Sequence, residues 1–240
     1  SGKTAIIGAD LAEKDTGYYK TNAGAAYIFE LEDGKWVEKQ KLQPLDLVQY
    51  DYFGYSAAMD GDLAIVGAYG ASNVGASNTY NKGGAAYIFQ GTGSAWKQIQ
   101  LLQPSDLAPA DQFGYSVAIS GNVAVVGAYL AETPSKANAG AAYIFALEEG
   151  KWVQKQKLQP PELAANDYFG YSVAIDGNVV MVGAYMREDD GKANAGAVYV
   201  FELEGGAWVQ KQKLKPREQL LANEYFGWSV AVSGEMAVVG

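Results

Sequence analysis

A hairpin that recurs at nearly constant steps constrains this chain more than any other feature of it. From Asp167 to Tyr185 the sequence reads DYFGYSVAIDGNVVMVGAY, two short apolar runs meeting at Asp176-Gly177. A small polar residue followed by Gly between apolar runs is a strong hairpin signal, because Gly supplies the positive φ of a tight turn without steric cost. In equivalent hairpins the Phe of each Phe-Gly falls at Phe53, Phe113, Phe169 and Phe226, in steps of 60, 56 and 57, and a shortened copy, SGKTAIIGA, opens at Ser1. Trp36, Trp96, Trp152 and Trp208 keep step at 60, 56 and 56, as do Pro44, Pro104, Pro160 and Pro216. Self-similarity at a fixed period marks a repeat architecture. No segment shows the i, i+3, i+4, i+7 apolar pattern of a helical solenoid.

Each period contains four strands, typified by FGYSVAI, VAVVGAY, GAAYIFALE and KWVQKQKLQ. Their side chains change in order: small residues in the first, Val and Ile in the second, Tyr and Phe in the third, Lys and Gln in the fourth. A wedge explains this gradient, with sheets converging at the first strand and a wet edge at the fourth, where Lys39, Lys41, Lys155, Lys157, Lys211 and Lys213 discourage edge-to-edge pairing. Radial repetition of such sheets predicts an all-β fold, a β-propeller of four-stranded antiparallel blades with four repeat units. A β-sandwich would not give the same gradient in every unit. The units run at approximately 1–52, 53–112, 113–168 and 169–225, with 226–240 a partial unit, all within one domain over 1–240. Seventeen strands are expected: four first, five second, four third and four fourth. A ring could close if the strand after Phe226 joined the sheet begun at Thr4, leaving Glu235 to Gly240 surplus.

The formal charge of -9, from 27 acidic against 18 basic residues, argues against nucleic acid, whose binders carry concentrated Lys/Arg surfaces. No apolar run approaches the roughly 18 residues of a membrane helix, so the chain is not expected to span a membrane. Cysteine and histidine are both absent, which removes thiolate chemistry, the usual general base and the commonest nitrogen ligand for metals. The chain begins at Ser1 with neither an initiator Met nor a leader, as expected of a processed or trimmed piece.

The run FGYSVAISGNVAVVGAY, continuing to GAAYIF and then to Trp and KL, resembles the FG-GAP repeat of bacterial surface proteins and integrin α-subunit propellers. The resemblance covers essentially the whole chain and implies an extracellular or cell-surface module that binds a protein or a glycan. It departs from the integrin type in one respect. There the first hairpin often holds a calcium loop of the Asp-x-Asp-x-Asp-Gly kind, whereas the turns here are MDGD, ISGN, IDGN and VSGE, too short and too poor in carboxylates. No cofactor is expected.

In such a fold the loops from strand two to three and from strand four to the next strand one share a face. The first class, as in DLAEKDTGYYKTN and GASNVGASNTYNK, varies most between units and presents Tyr18, Tyr19 and Tyr80, which are either ligand contacts or covers for the sheet ends. The second class carries a carboxylate just before each Phe-Gly: Asp51, Asp111, Asp167 and Glu224. Recurrence in every unit points to a structural task, accepting loop N–H groups, with a cation-attracting ring as the functional alternative. An active site usually breaks repeat symmetry, and no unit holds an acid pair or nucleophile that the others lack, so no enzyme is expected. The alternative to a binding module is a structural repeat protein that self-assembles into a ring, layer or filament by strand addition.

Overall fold

The computed structural model describes residues 2–14, 21–72, 82–216 and 221–240. Tyr18, Tyr19 and Tyr80 lie outside the described residues. The described residues form only strands, turns and loops, with seventeen strands as expected. By its contacts the chain divides into two compact units, Ser1–Gly121 and Asn122–Gly240. The first holds β1 (Thr4–Ala9), β2 (Ala25–Glu32), β3 (Lys35–Leu42), β4 (Ser56–Asp60), β5 (Leu63–Ala68), β6 (Ala85–Gln90), β7 (Lys97–Leu102) and β8 (Phe113–Ser120). The second holds β9 (Val123–Ala128), β10 (Ala141–Glu148), β11 (Lys151–Leu158), β12 (Ser172–Asp176), β13 (Val179–Ala184), β14 (Ala197–Glu204), β15 (Ala207–Leu214), β16 (Val230–Ser233) and β17 (Met236–Val239).

The strands make simple antiparallel meanders. Three sheets have four strands, β4-β5-β6-β7, β11-β10-β9-β8 and β12-β13-β14-β15; β1-β2-β3 has three, and β16-β17 has two. These sheets are the blades that the period predicts. The turn glycines Gly61, Gly121, Gly177 and Gly234 take φ of 59°, 51°, 52° and 54°, the left-handed values that the small-polar-Gly signal requires.

One detail differs from the sequence reading. In three of the four complete hairpins the first strand starts at or after the Ser of FG-[YW]-S rather than at Phe, because the Phe-Gly pair serves another purpose. Phe53 makes a parallel bridge to Gly24, as Phe169 does to Gly140 and Phe226 to Gly196. A side chain at Gly24 or Gly54 would run into the backbone that crosses it, which is why both must be glycine.

The core lies between successive sheets. In the first unit Ala26, Ile28 and Leu42 of one sheet pack against Ala64, Val66, Tyr87, Phe89 and Trp96 of the next, with Phe53 and Leu47 filling the end, all at most 4% exposed. Each buried aromatic of this size removes on the order of 150–250 Å² from water, so these seams dominate the stability of the fold.

A bulge recurs in every blade at the third-to-fourth strand pairing. The register slips between Ile28 and Phe29, Ile88 and Phe89, Ile144 and Phe145, and Val200 and Phe201. In β3 the slip leaves Lys39 outside the backbone register, since Ile28 pairs with Gln40 and Phe29 with Glu38. One extra residue reverses the alternation. Trp96 therefore faces the preceding sheet, while Leu42, in the equivalent strand, faces the following one.

Candidate functional site

The two long-loop classes come together at one end of each sheet, stitched by main-chain hydrogen bonds. The amides of Tyr50, Tyr52 and Phe53 donate to the carbonyls of Thr21, Asn22 and Ala23, and those of Asn166, Tyr168 and Phe169 donate to Ala137, Asn138 and Ala139. Asn223, Tyr225 and Phe226 do the same to Ala193, Asn194 and Ala195. Loop termini that would otherwise leave buried amides unpaired are satisfied in this way.

The repeated carboxylates hold the corner of this stitch. Oδ2 of Asp51, Asp111 and Asp167 accepts the amide of Val48, Ala108 and Ala164 at 2.7, 2.9 and 2.8 Å. Glu224, one methylene longer, accepts from Leu221 at 2.9 Å and remains exposed. The three aspartates are 2–4% exposed, so they are loop anchors and not a solvent-facing acidic rim. Cations support two of them: Arg187 donates to Asp167 at 2.6 Å, and Lys82 lies 3.6 Å from Asp51 while donating to the carbonyls of Gln49 and Tyr50. Burial, opposed by the Val48 amide and Lys82, pushes the Asp51 carboxyl up to about 6. On either side of each anchor sits a non-glycine residue at positive φ, Tyr50 and Tyr52 at 65° and 56°, Asn166 and Tyr168 at 63° and 55°. The anchor holds the chain in a conformation that such residues otherwise avoid.

The same end carries tyrosines that the sequence reading assigned only to strands. Tyr55 enters β4 and Tyr69 leaves β5; Ser56 pairs with Gly67, so the two rings share one hairpin end. In the first unit Tyr52 stacks on Tyr69 at 4.9 Å and 4°, Tyr55 meets Tyr69 edge-on at 4.7 Å, and the Tyr55 hydroxyl bonds the Tyr115 hydroxyl at 2.7 Å. In the second unit Tyr171, Tyr185 and Trp228 pack with centroids 4.2–4.8 Å apart, extended by Tyr225 and Tyr168. Burial, reinforced by neighbouring tyrosines, pushes the Tyr69 and Tyr185 hydroxyls up to about 12, so they keep their protons and can donate. The rings present a surface, with Tyr50, Tyr55 and Trp228 exposed at 44%, 41% and 51%. The available signal was the Tyr at either end of each FGYS…GAY hairpin, because antiparallel pairing must bring those two positions together.

The turn carboxylates of the short hairpins are also engaged. Oδ2 of Asp60 accepts the Gly121 amide at 2.8 Å and Oδ2 of Asp176 accepts the Gly234 amide at 2.6 Å, tying one hairpin tip to the next.

A model of the FG-GAP repeat matches residues 36–89, 96–145, 152–201 and 208–240, more than half of the chain. The chain belongs to the FG-GAP repeat family. A search of curated proteins returned no match. Each FG-GAP match starts at a repeat Trp and runs through the following Phe-Gly hairpin, so the family's unit spans the seam between two sheets rather than one sheet. In the first unit that seam holds the core.

Proposed function

We propose that this FG-GAP chain is a non-catalytic interaction module of the extracellular space or cell surface, which binds a protein or glycan through the end of the blades carrying the long loops. One observation carries the reading: the aromatic surface at that end, best developed at Tyr171, Tyr185, Tyr225 and Trp228. Tyr and Trp offer large contact area at little entropic cost, and their polar tips orient a ligand. Trp228 stands where the other units have Tyr55, Tyr115 and Tyr171, so this copy departs from the repeat at its most exposed ring. Membership of the FG-GAP family supports the location, since such repeats are typical of surface proteins. The acidic charge argues against nucleic acid, and among the described residues no helix is long and apolar enough to cross a membrane.

The test is a screen of the chain against a glycan array and against immobilised extracellular matrix proteins, repeated with Trp228→Ala and Tyr171→Ala. A bound ligand lost at least tenfold by both variants, with unchanged melting, is the expected result; binding indifferent to both would sink the assignment to this surface.

A further inference from the structure

Two tyrosines of the first unit meet through the ends that carry their hydroxyls. Tyr55, at the entry to β4, donates its hydroxyl hydrogen to the Tyr115 hydroxyl of β8 at 2.7 Å, while the ring centroids stand 4.7 Å apart at a tilt of 43°. The rings therefore converge toward their hydroxyls, and the carbons ortho to the hydroxyls lie in the narrowing part of the gap. Those carbons carry much of the unpaired spin of a phenoxyl radical, and two such radicals join there. The other contacts of this cluster are of a different kind, with Tyr52 flat on Tyr69 at 4° and Tyr55 edge-on to Tyr69 at 79°.

The stems of the pair are held still. Ser56, next to Tyr55, donates its hydroxyl to the carbonyl of Gly114, next to Tyr115, at 2.9 Å. At the other end of β4, Oδ2 of Asp60 accepts the Gly121 amide. Tyr69 packs against both rings, its centroid 4.7 Å from that of Tyr55 and 5.7 Å from that of Tyr115. Successive sheets are also clasped at their fourth strands: the Gln40 side chain donates to the Trp96 carbonyl and accepts the Trp96 amide, both at 2.8 Å, and Gln156 and Trp208 repeat this in the second unit. Reactive groups held in contact by such a frame have little orientational freedom left to lose on the way to a bond. The second unit keeps the frame and changes the partner. Ser172 donates to the Gly227 carbonyl at 2.8 Å, but Tyr171 there meets Trp228, so no phenol stands at the Tyr115 position.

We propose that Tyr55 and Tyr115 are a site of oxidative modification, joined as dityrosine by a one-electron oxidant of the class of a haem peroxidase acting with hydrogen peroxide. Each phenol gives up one electron and one proton to become a phenoxyl radical. The two radicals form one carbon–carbon bond between ortho carbons, and the hydrogens displaced from those carbons move as protons to the phenolic oxygens. One hydrogen peroxide takes up the two electrons and two protons released and leaves as two waters. The link closes a loop of 60 residues and ties β4 to β8. It supplies a covalent tie of the kind a disulfide gives, in a chain that has no cysteine.

The test treats the dilute chain with a haem peroxidase and an equimolar amount of hydrogen peroxide, followed by intact mass, dityrosine fluorescence and peptide mapping. The expected product is a monomer lighter by two hydrogen atoms, whose linked peptides hold Tyr55 and Tyr115 and whose melting temperature is raised by on the order of 10 °C. Tyr115→Phe keeps the ring, removes the phenol and is expected to cut the yield of linked monomer on the order of tenfold. Oxidation in urea is expected to abolish the preference for this pair. A link mapped chiefly to another pair, such as Tyr171 with Tyr185, overturns the site, as does an equal preference in urea or a yield indifferent to Tyr115→Phe. Products linked only between chains overturn it as well. Mapping of the native chain decides the question even if the variant fails to fold.

Discussion

At Asp51 two opposing influences meet: burial disfavours the charge, while the Val48 amide and Lys82 favour it, and burial dominates. A carboxyl whose folded-state value lies above its ordinary one binds its proton more tightly in the folded chain. Its contribution to stability is therefore complete below the ordinary carboxylate range and lost as pH rises through about 6. The difference in unfolding free energy between pH 5 and pH 7.5 is expected to be larger in the native chain than in Asp51→Asn by on the order of 1 kcal/mol, measured by urea titration. An equal pH dependence in the two would show that Asp51 is not the titrating group. Glycines divide sharply at the same scale. Gly177→Ala, at a hairpin tip with open space around it, is expected to cost about 1 kcal/mol for its positive φ alone. Gly8→Ala would drive a methyl into the Gly54 carbonyl and is expected to cost more than about 4 kcal/mol, beyond the ordinary range of point substitutions. Thermal melts of the two variants check the contrast.

Among the elements, the fourth strand is the one whose sequence misleads. Strict alternation through KWVQKQKL would place Trp152, Gln154, Gln156 and Leu158 on one side. The bulge after Gln154 turns Gln156 and Leu158 to the other, where Gln156 reaches the Trp208 backbone of the next sheet. Deleting Lys155 is expected to restore alternation, withdraw Gln156 from the Trp208 backbone and expose Leu158, lowering stability by about 3 kcal/mol or more from the lost seam. Gln156→Ala tests the clasp alone, with an expected loss of about 1–3 kcal/mol because a buried amide and carbonyl lose their partner; both are read by denaturant midpoint. The strands, the Asp-Gly and Ser-Gly turns and the anchoring role of the acids before Phe-Gly were legible because each follows from local spacing and chemistry. The bulge was not, since one looped-out Lys among Lys and Gln residues leaves no mark on composition. The aromatic surface escaped for a different reason. Tyr55 and Tyr69 lie within strand-like runs, and only the pairing of Ser56 with Gly67 puts their rings side by side. Tyr18, Tyr19 and Tyr80, the aromatics that local reasoning favoured, lie in loops outside the described residues.

Among the described sheets, how many of a strand's edges are hydrogen-bonded sets where the fold opens. Amide exchange is expected to be fastest in β16 and β17, which share two strands, and slowest in the central strands of β12-β13-β14-β15, each hydrogen-bonded on both sides. Mass-resolved exchange at a concentration where the chain is monomeric measures the order directly, and protection of β16 equal to that of β13 would contradict it. The Gln-to-Trp clasp has a further consequence, which concerns descent. Gln40 and Gln156 each supply both halves of a clasp to the Trp of the following sheet, and the sequence puts a Gln and a Trp at these positions in every period, so any tandem copying of the gene segment between Trp96 and Trp152, 56 residues long, inserts a blade that carries both partners. Blade number can then rise or fall by unequal crossing-over within reading frame, with no compensating substitution at the junctions. Lineages carrying this repeat are accordingly expected to differ in length by whole periods more readily than by parts of one.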